Sequence, residues 1–321
     1  MILVTGATGF IGRHLVRELL AHGHPVRCLL PEHQSRRRNP LPWAESENQP
    51  EIIYASLLDD EGMFRAVTGV HTIYHLESAQ WWGRPRELER VEIVGTRNLL
   101  DVARSTRVGR IITMSHLGAA PSSAFTLLRV KGLQEELIRN SGIAYTIIRS
   151  GLVYGQEDAF INHIAMMLSV NPVFFLMPGR GEVIMHPIYM DDLITALYRS
   201  LEVIDSVDKT IEIGGLEYTT LEDLIQTVMR VTGMYRMVIP VPPYLLRAII
   251  GVYARLFRRS LFTQQWMDLL ASSRTAHVGN MYEMYGVHPR RFEDTLLTYL
   301  PQKRFFFSAF AYTFRRRPRG I

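Results

Sequence analysis

Met1-Ile-Leu-Val-Thr-Gly-Ala-Thr-Gly-Phe-Ile-Gly12 decides how the rest of this chain is read. An apolar β-type run, Ile2, Leu3 and Val4, leads directly into glycines at 6, 9 and 12. A helical pattern follows, with Ile11, Leu15, Val16, Leu19 and Leu20 on one face and Arg13, His14, Arg17 and Glu18 on the other. Strand, glycine turn and helix in immediate succession are the context a dinucleotide fingerprint requires. Gly6 permits the tight turn, Gly9 lets the backbone approach a pyrophosphate, and Gly12 lets the helix pack closely on the strand. Thr8, Phe10 and Ile11 complete the anion-facing turn, where the helix N-terminus offers its backbone N–H groups.

The spacing T-G-x-x-G-x-x-G resembles the short-chain dehydrogenase/reductase superfamily in its extended and atypical branches. That resemblance implies an α/β fold, a Rossmann-type doubly wound parallel sheet that binds NAD(P), with a smaller, mostly helical C-terminal lobe. It does not by itself imply catalysis.

Bulk properties narrow the classes further. The 321 residues are 47% hydrophobic and 21% charged, a globular composition with ample material for a core. Cys28 is the single cysteine, which excludes an internal disulfide and fits a reducing, cytoplasmic setting. The first strand begins at the first residue, so no signal peptide is expected, and no run reaches the ~20 apolar residues of a membrane span. The net charge of +5 is unevenly placed: residues 303–321 hold six basic residues and no acid, which leaves the body at −1. Neither a nucleic-acid partner nor a metal site is expected.

Along the chain, Val26–Leu30 is a second strand, whose end is where a cofactor's adenosine ribose is read. Glu32 there could bind a ribose diol, and the run Arg36-Arg37-Arg38 could clamp the 2′-phosphate of NADP; Arg36 tilts the expectation to NADP. Pro31 stands where many relatives carry an Arg. Residues 51–56 form a third strand with Ser56 and Leu57 at its exit, where the superfamily usually has an acid for the adenine amino group. After a helix over 58–68 and a strand over 71–76 comes His75-Leu-Glu-Ser-Ala79, in which Leu76 and Ser78 pass under the cofactor. Glu77 replaces a small residue, and its carboxylate should repel a pyrophosphate unless it turns away. Trp81 and Trp82 either anchor a surface loop or wall the substrate pocket. One long helix is expected over 85–107, with Leu88, Val91, Val94, Leu99 and Val102 on its buried side, followed by a fifth strand ending at Met114 and Ser115.

In active members of the superfamily, Ser, Tyr and Lys divide the chemistry, with Lys four residues after Tyr on one helical face. Ser115 is present and Lys131 is present, but the Tyr position is Leu127, and no tyrosine lies between Tyr74 and Tyr145. Leucine has no proton to give, so the usual alcohol–ketone reaction should lose the ~10²–10⁴ that a general acid contributes. With three lysines against 33 arginines, a lysine at 131 is not an indifferent surface choice. The pattern Arg129-x-Lys131-Gly-x-x-Glu-Glu136, followed by Ser141–Arg149, resembles the NmrA-like redox-sensing NADP binders and, more closely, the accessory nucleotide-binding subunit of respiratory complex I. Leu127, Pro31, Ser56, Glu77 and Ser150 depart from that pattern.

Gly151, Leu152 and Val153, after the sixth strand, should run beside the nicotinamide. Asp191 or Asp192 is expected to cap a returning helix, and Thr220 to cap the helix that opens with Glu222 and Asp223. The expected plan is residues 1–150 plus about 188–215 for the dinucleotide, about 151–187 plus 216–302 as a substrate or partner lobe, and 303–321 as a basic, aromatic tail. Phe305, Phe306, Phe307, Phe310, Tyr312 and Phe314 between cations suit an anionic membrane surface or a membrane protein complex, unless they fold back onto the lobe. Three functions compete: an NAD(P) binder with a structural or sensory cofactor; an active oxidoreductase or epimerase using Lys131, His116 or Tyr154; and a scaffold with an empty site.

Overall fold

The computed structural model describes residues 1–35, 41–79, 85–256, 260–301 and 303–314. The opening reads as expected: β1 (Ile2–Thr5), α1 (Phe10–Ala21), β2 (Val26–Leu30), β3 (Glu51–Tyr54), α2 (Asp60–Val67) and β4 (Thr72–His75). The expected long helix is three pieces, α3 (Pro85–Glu89), a π-helical segment (Arg90–Gly95) and α4 (Thr96–Ser105). Then come β5 (Arg110–His116), α5 (Thr126–Arg139), β6 (Ala144–Ser150), β7 (Val153–Tyr154), α6 (Phe160–Val170), β8 (Phe174–Pro178), β9 (Ile184–Met185), β10 (Ile188–Tyr189), α7 (Met190–Arg199) and β11 (Lys209–Ile213).

Seven strands form one parallel sheet in the order β11-β6-β5-β4-β1-β2-β3. Strand order reverses between β1 and β4, which pair Thr5 against His75 at their carboxyl ends. A ligand crevice is expected outside that point, and the glycine turn stands there. α1 and α7 cover one face, with Leu15, Leu19, Leu193 and Leu197 in a common core. Trp43, from the loop before β3, is buried in the same core, where the polar composition around it gave no sign of an anchor. α2, α4 and α5 cover the other face.

The rest of the chain adds a helical lobe: β12 (Thr219–Thr220), α8 (Leu221–Thr232), β13 (Met237–Val241), α9 (Pro243–Leu256), α10 (Gln264–Leu269), α11 (Asn280–Tyr285), α12 (Phe292–Tyr299) and α13 (Phe305–Phe314). Its core is separate from those of the sheet and is built by α6, α8, α10 and α12 around Trp266. Thr220 caps α8 as expected, its Oγ1 accepting the Asp223 amide at 3.0 Å, a contact worth about 1 kcal/mol. Asp191 and Asp192 do not cap α7. Tyr189 holds that position, and the two carboxylates in the first turn bind Arg290 instead, Asp192 Oδ2 accepting its backbone amide at 2.8 Å.

The tail does fold back, on one face only. Phe305, Ala309 and Thr313 recur every four residues and are buried as α13 lies along α6. Tyr312 sets its ring edge-on to His163, and Lys303 Nζ donates to Asn162 Oδ1 at 2.8 Å. Phe306, Phe307, Phe310 and Phe314 point outward. Residues 315–321, with four of the basic residues expected to read an anionic surface, lie outside the described residues. Phe305→Ala should therefore destabilise the protein by about 3 kcal/mol in urea unfolding, as loss of a core Phe does. Phe307→Ala should change it by under about 0.5 kcal/mol, and equal effects of the two would contradict the docked helix.

Candidate active site and dinucleotide cleft

The glycine turn is shaped by two contacts that no side chain could share. Gly6 sits at φ +65°, and a Cβ there would lie 2.7 Å from the backbone of Leu76 and Glu77. A Cβ on Gly12 would stand 2.2 Å from the Gly6 carbonyl oxygen. Helix α1 thus starts against the end of β1. Its first backbone bond runs from the Arg13 amide to the Gly9 carbonyl, which leaves the amides of Phe10, Ile11 and Gly12 ahead of the helical ladder and directed at an anion.

These residues line one side of a cleft of about 340 Å³. Of the residues singled out in the sequence, Gly6, Thr8, Gly9, Phe10, Ile11, Gly12, Leu76, Ser78, Met114, Ser115, Lys131, Gly151, Leu152 and Val153 all meet there. Ser56 and Leu57 do not line it. Ser56 Oγ accepts the Leu58 amide at 3.1 Å within its own turn, and Leu57 is buried against Gly95. Glu32 is exposed, while Arg36, Trp81 and Trp82 lie outside the described residues. Tyr154 is buried in the lobe core, edge-on to Phe292, and lines no part of the cleft.

Lys131 is the residue whose setting the sequence could not disclose. It is buried, and Nζ donates to Glu92 Oε2 at 2.8 Å and to Gln134 Oε1 at 3.1 Å. Glu92 is fully buried on the π-helical segment and also accepts from Ser78 Oγ. Gln134 Nε2 continues to Thr96 Oγ1 at 3.0 Å, and His75 joins Thr96 Oγ1 to Thr5 Oγ1 with both contacts at 2.9 Å. One polar chain therefore ties β1, β4, the π segment, α4 and α5 beneath the cleft. Burial, reinforced by Lys131, lowers the His75 pKa to about 3, so this imidazole stays neutral.

The expected apolar stripe of the 85–107 helix is corrected here. Val94 is exposed, whereas Glu92, Gly95 and Thr96 are buried together with Leu88, Val91 and Leu99. Successive steps of three residues drift off a helical face, and the true inner face takes in Glu92 because Lys131 needs an anion there. Periodicity of apolar residues could not have found a buried carboxylate.

Leu127, four residues before Lys131 on α5, packs with Leu88 and Val130 and is core. Ser115 is buried in the cleft wall, and its Oγ has no protein hydrogen bond among the described residues. His116 also lines the cleft, and burial, then Lys131 and Arg274, lowers its pKa to about 3.

The opposite wall includes Glu157, which pairs with Arg13 of α1, and residues the sequence did not mark. His186 accepts the Ala276 amide at Nδ1 (3.2 Å) and donates from Nε2 to the Gly215 carbonyl (2.8 Å), which fixes its tautomer. Arg274 binds the carbonyls of Asp268 and Leu269 through Nη2, while Nη1 is buried without a partner among the described residues. Burial lowers its pKa to about 10, so it remains charged. The helix-start amides, the glycine cradle and the orphaned Ser115 Oγ and Arg274 Nη1 fit a dinucleotide's pyrophosphate and nicotinamide ends.

The comparisons with known proteins agree with this geometry. A family model for NAD(P)H-binding proteins matches residues 6–163. The photosystem II assembly factor Ycf39 of Cyanophora paradoxa is 28% identical over 243 residues, 75% of this chain and 71% of that protein. The mitochondrial NADH dehydrogenase (ubiquinone) 1 alpha subcomplex subunit 9 of Mus musculus is 27% identical over 243 residues, covering 74% of this chain and 62% of the subunit, under two thirds of its length. Among solved structures, UDP-glucose 4-epimerase of Thermotoga maritima with UDP-glucose superposes with a TM-score of 0.69 at 21% identity, over 97% of this chain and 99% of that one, a likeness of fold alone. These likenesses fit an atypical short-chain dehydrogenase/reductase.

The charges under the cleft give two expected outcomes. Removing one partner of a buried pair strands the other, so Lys131→Met should cost about 3–5 kcal/mol of stability. Lys131→Met with Glu92→Leu should recover most of that in chemical denaturation; equal losses for single and double variants would refute the coupling.

Glu77 supplies the second. It is half-buried against Gly6, whose amide it accepts, and burial followed by repulsion from Glu92 raises its pKa to about 7. Below that pH it is neutral, and above it a carboxylate bonded to the Gly6 amide adds a negative charge beside the glycine turn. NADH affinity measured by calorimetry should fall as pH rises through about 7, by at most roughly tenfold per pH unit. Glu77→Gln should flatten the profile, and an unchanged slope would exclude Glu77 as its source.

Proposed function

We propose that this chain binds NAD(P)H as a structural or sensory group, as an accessory part of a membrane-associated or respiratory assembly, and does not use it for turnover. The observation that carries this reading is the state of Lys131. Its ammonium is bonded to buried Glu92, and the residue one turn earlier is Leu127, packed in core. A proton donor to a substrate oxygen is absent from the place the family uses, and the lysine that would tune it is already neutralised by a partner.

In this reading the chain's own residues hold the cofactor. The amides of Phe10, Ile11 and Gly12 with Arg13 take the pyrophosphate, while Ser115 and the backbone of 151–153 take the nicotinamide end, where hydride chemistry is the cofactor's own. Residues 1–150 with about 188–215 serve the dinucleotide, and about 151–187 with 216–302 face the partner. NADP is the preferred form if the basic loop at Arg36 clamps a 2′-phosphate. The two relatives, one an assembly factor and one a complex subunit by name, support docking onto a larger assembly. No helix among the described residues is long and apolar enough to cross a membrane. Contact would instead be peripheral, through the outward rings of α13 and the basic residues beyond it.

Purified protein should carry bound dinucleotide and show negligible turnover of simple ketones or sugar nucleotides with NADH or NADPH. Gly9→Val should abolish dinucleotide binding, since a Cβ at Gly9 already lies 3.0 Å from the Gly6 carbonyl oxygen. Serine in place of Phe306, Phe307, Phe310 and Phe314 should leave NADH affinity intact and remove co-sedimentation with anionic vesicles. Robust wild-type reductase activity, lost in Lys131→Ala, would replace this reading with an active oxidoreductase.

A further inference from the structure

We propose that the helical lobe holds a binding site for one long hydrocarbon chain, distinct from the dinucleotide cleft and independent of whether the cofactor turns over. Helices α6, α8 and α9 and strand β8 enclose a cavity of about 360 Å³. Ile164 and Met167 of α6, Phe175 of β8, Ile225 of α8, and Leu246 and Ile250 of α9 build its wall. An apolar cavity of roughly 150 Å³ lined by such side chains stays dry and admits benzene; this one has more than twice that room.

The few polar side chains in the wall are already engaged. Asn171 Oδ1 accepts the amides of Val173 and Phe174 at 3.0 and 3.1 Å. Ser260 Oγ is bonded to the backbone of Phe262, and Tyr253 has a partner as well. A sugar, nucleotide or carboxylate entering would shed its water for few new hydrogen bonds, whereas a hydrocarbon sheds nothing it needs.

The surroundings of the mouth argue for the same class of occupant. Val170 and Ile249 line the cavity yet are 53% and 44% exposed. Leu245, Ile249 and Val252 recur at helical spacing along α9 and are all exposed, so an apolar track leads to the opening. A chain drawn from an apolar phase can slide along that track, its headgroup staying outside in water. Phe160 and Leu270 line both this cavity and the dinucleotide cleft. The two sites thus share a wall without merging. An acyl chain and an isoprenoid chain satisfy the same chemistry.

Full-length protein titrated with cis-parinaric acid, a fluorescent polyene chain, should give a saturable rise in emission. Affinity should grow roughly fourfold for each methylene buried, along a series of saturated fatty acids used as competitors. Displacement by oleate identifies an acyl source and displacement by farnesol an isoprenoid source, and either supports the site. Ile249→Glu, at the exposed lip, should weaken parinarate at least about tenfold, because a carboxylate there must stay hydrated, while melting temperature and NADH affinity hold. Ile164→Trp, which fills the cavity, should abolish binding. The proposal is overturned if emission never saturates, if neither competitor displaces the probe, or if both variants bind like wild type. It is equally overturned if the protein is a dimer that Ile249→Glu dissociates and parinarate does not bind, which would make a second copy the occupant.

Discussion

A buried ion pair, Glu92 with Lys131, is the constraint around which the cleft is arranged. Taking both charges out of water is costly, and their attraction repays the cost only when every remaining donor and acceptor is satisfied. Ser78, Gln134, Thr96, His75 and Thr5 supply those partners in sequence. That requirement accounts for the π-helical segment, a rare geometry that recurs at functional positions and here turns Glu92 inward. Burial, with Lys131 beside it, keeps the doubly bonded His75 neutral. In this chain Lys131, bonded to Glu92, braces the floor of the cleft.

The two sides of the cleft are made by different means. On the sheet side the backbone does the work: amides at the start of α1 and close approach at Gly6 and Gly12, with little contributed by side chains. On the lobe side it is side chains, above all His186, held by the Gly215 carbonyl and the Ala276 amide, and Arg274, held by carbonyls at the end of α10. The lobe's core is separate from those on either face of the sheet, and α13 closes it with one face of an otherwise outward-facing aromatic helix.

Strand positions, the glycine turn and the helices on either side of the sheet were legible because each rests on local chemistry. Apolar runs of four to seven residues make strands, glycines make turns with φ above zero, and Thr220 with Asp223 makes a cap wherever it occurs. Most of the residues expected to touch the dinucleotide meet in one cleft for the same reason, since the turn and the strand ends carry them. Less local features were misread. The 85–107 segment looked like one amphipathic helix because its apolar residues are spaced as in one, and Asp191 and Asp192 looked like caps because they begin a helix.

The sequence by itself determined the strand segments, the dinucleotide turn and the absence of a tyrosine one helical turn before Lys131, all properties of residues within a few positions of one another. Only the tertiary structure decided that Lys131 is neutralised by Glu92, 39 residues away, that Leu127 is core, that Arg274 and His186 wall the cleft, and that α13 docks by one face. The physical reason is common to all four. The environment of a charge or a ring is set by which distant elements the sheet brings together, and neither apolar periodicity nor motif spacing encodes it.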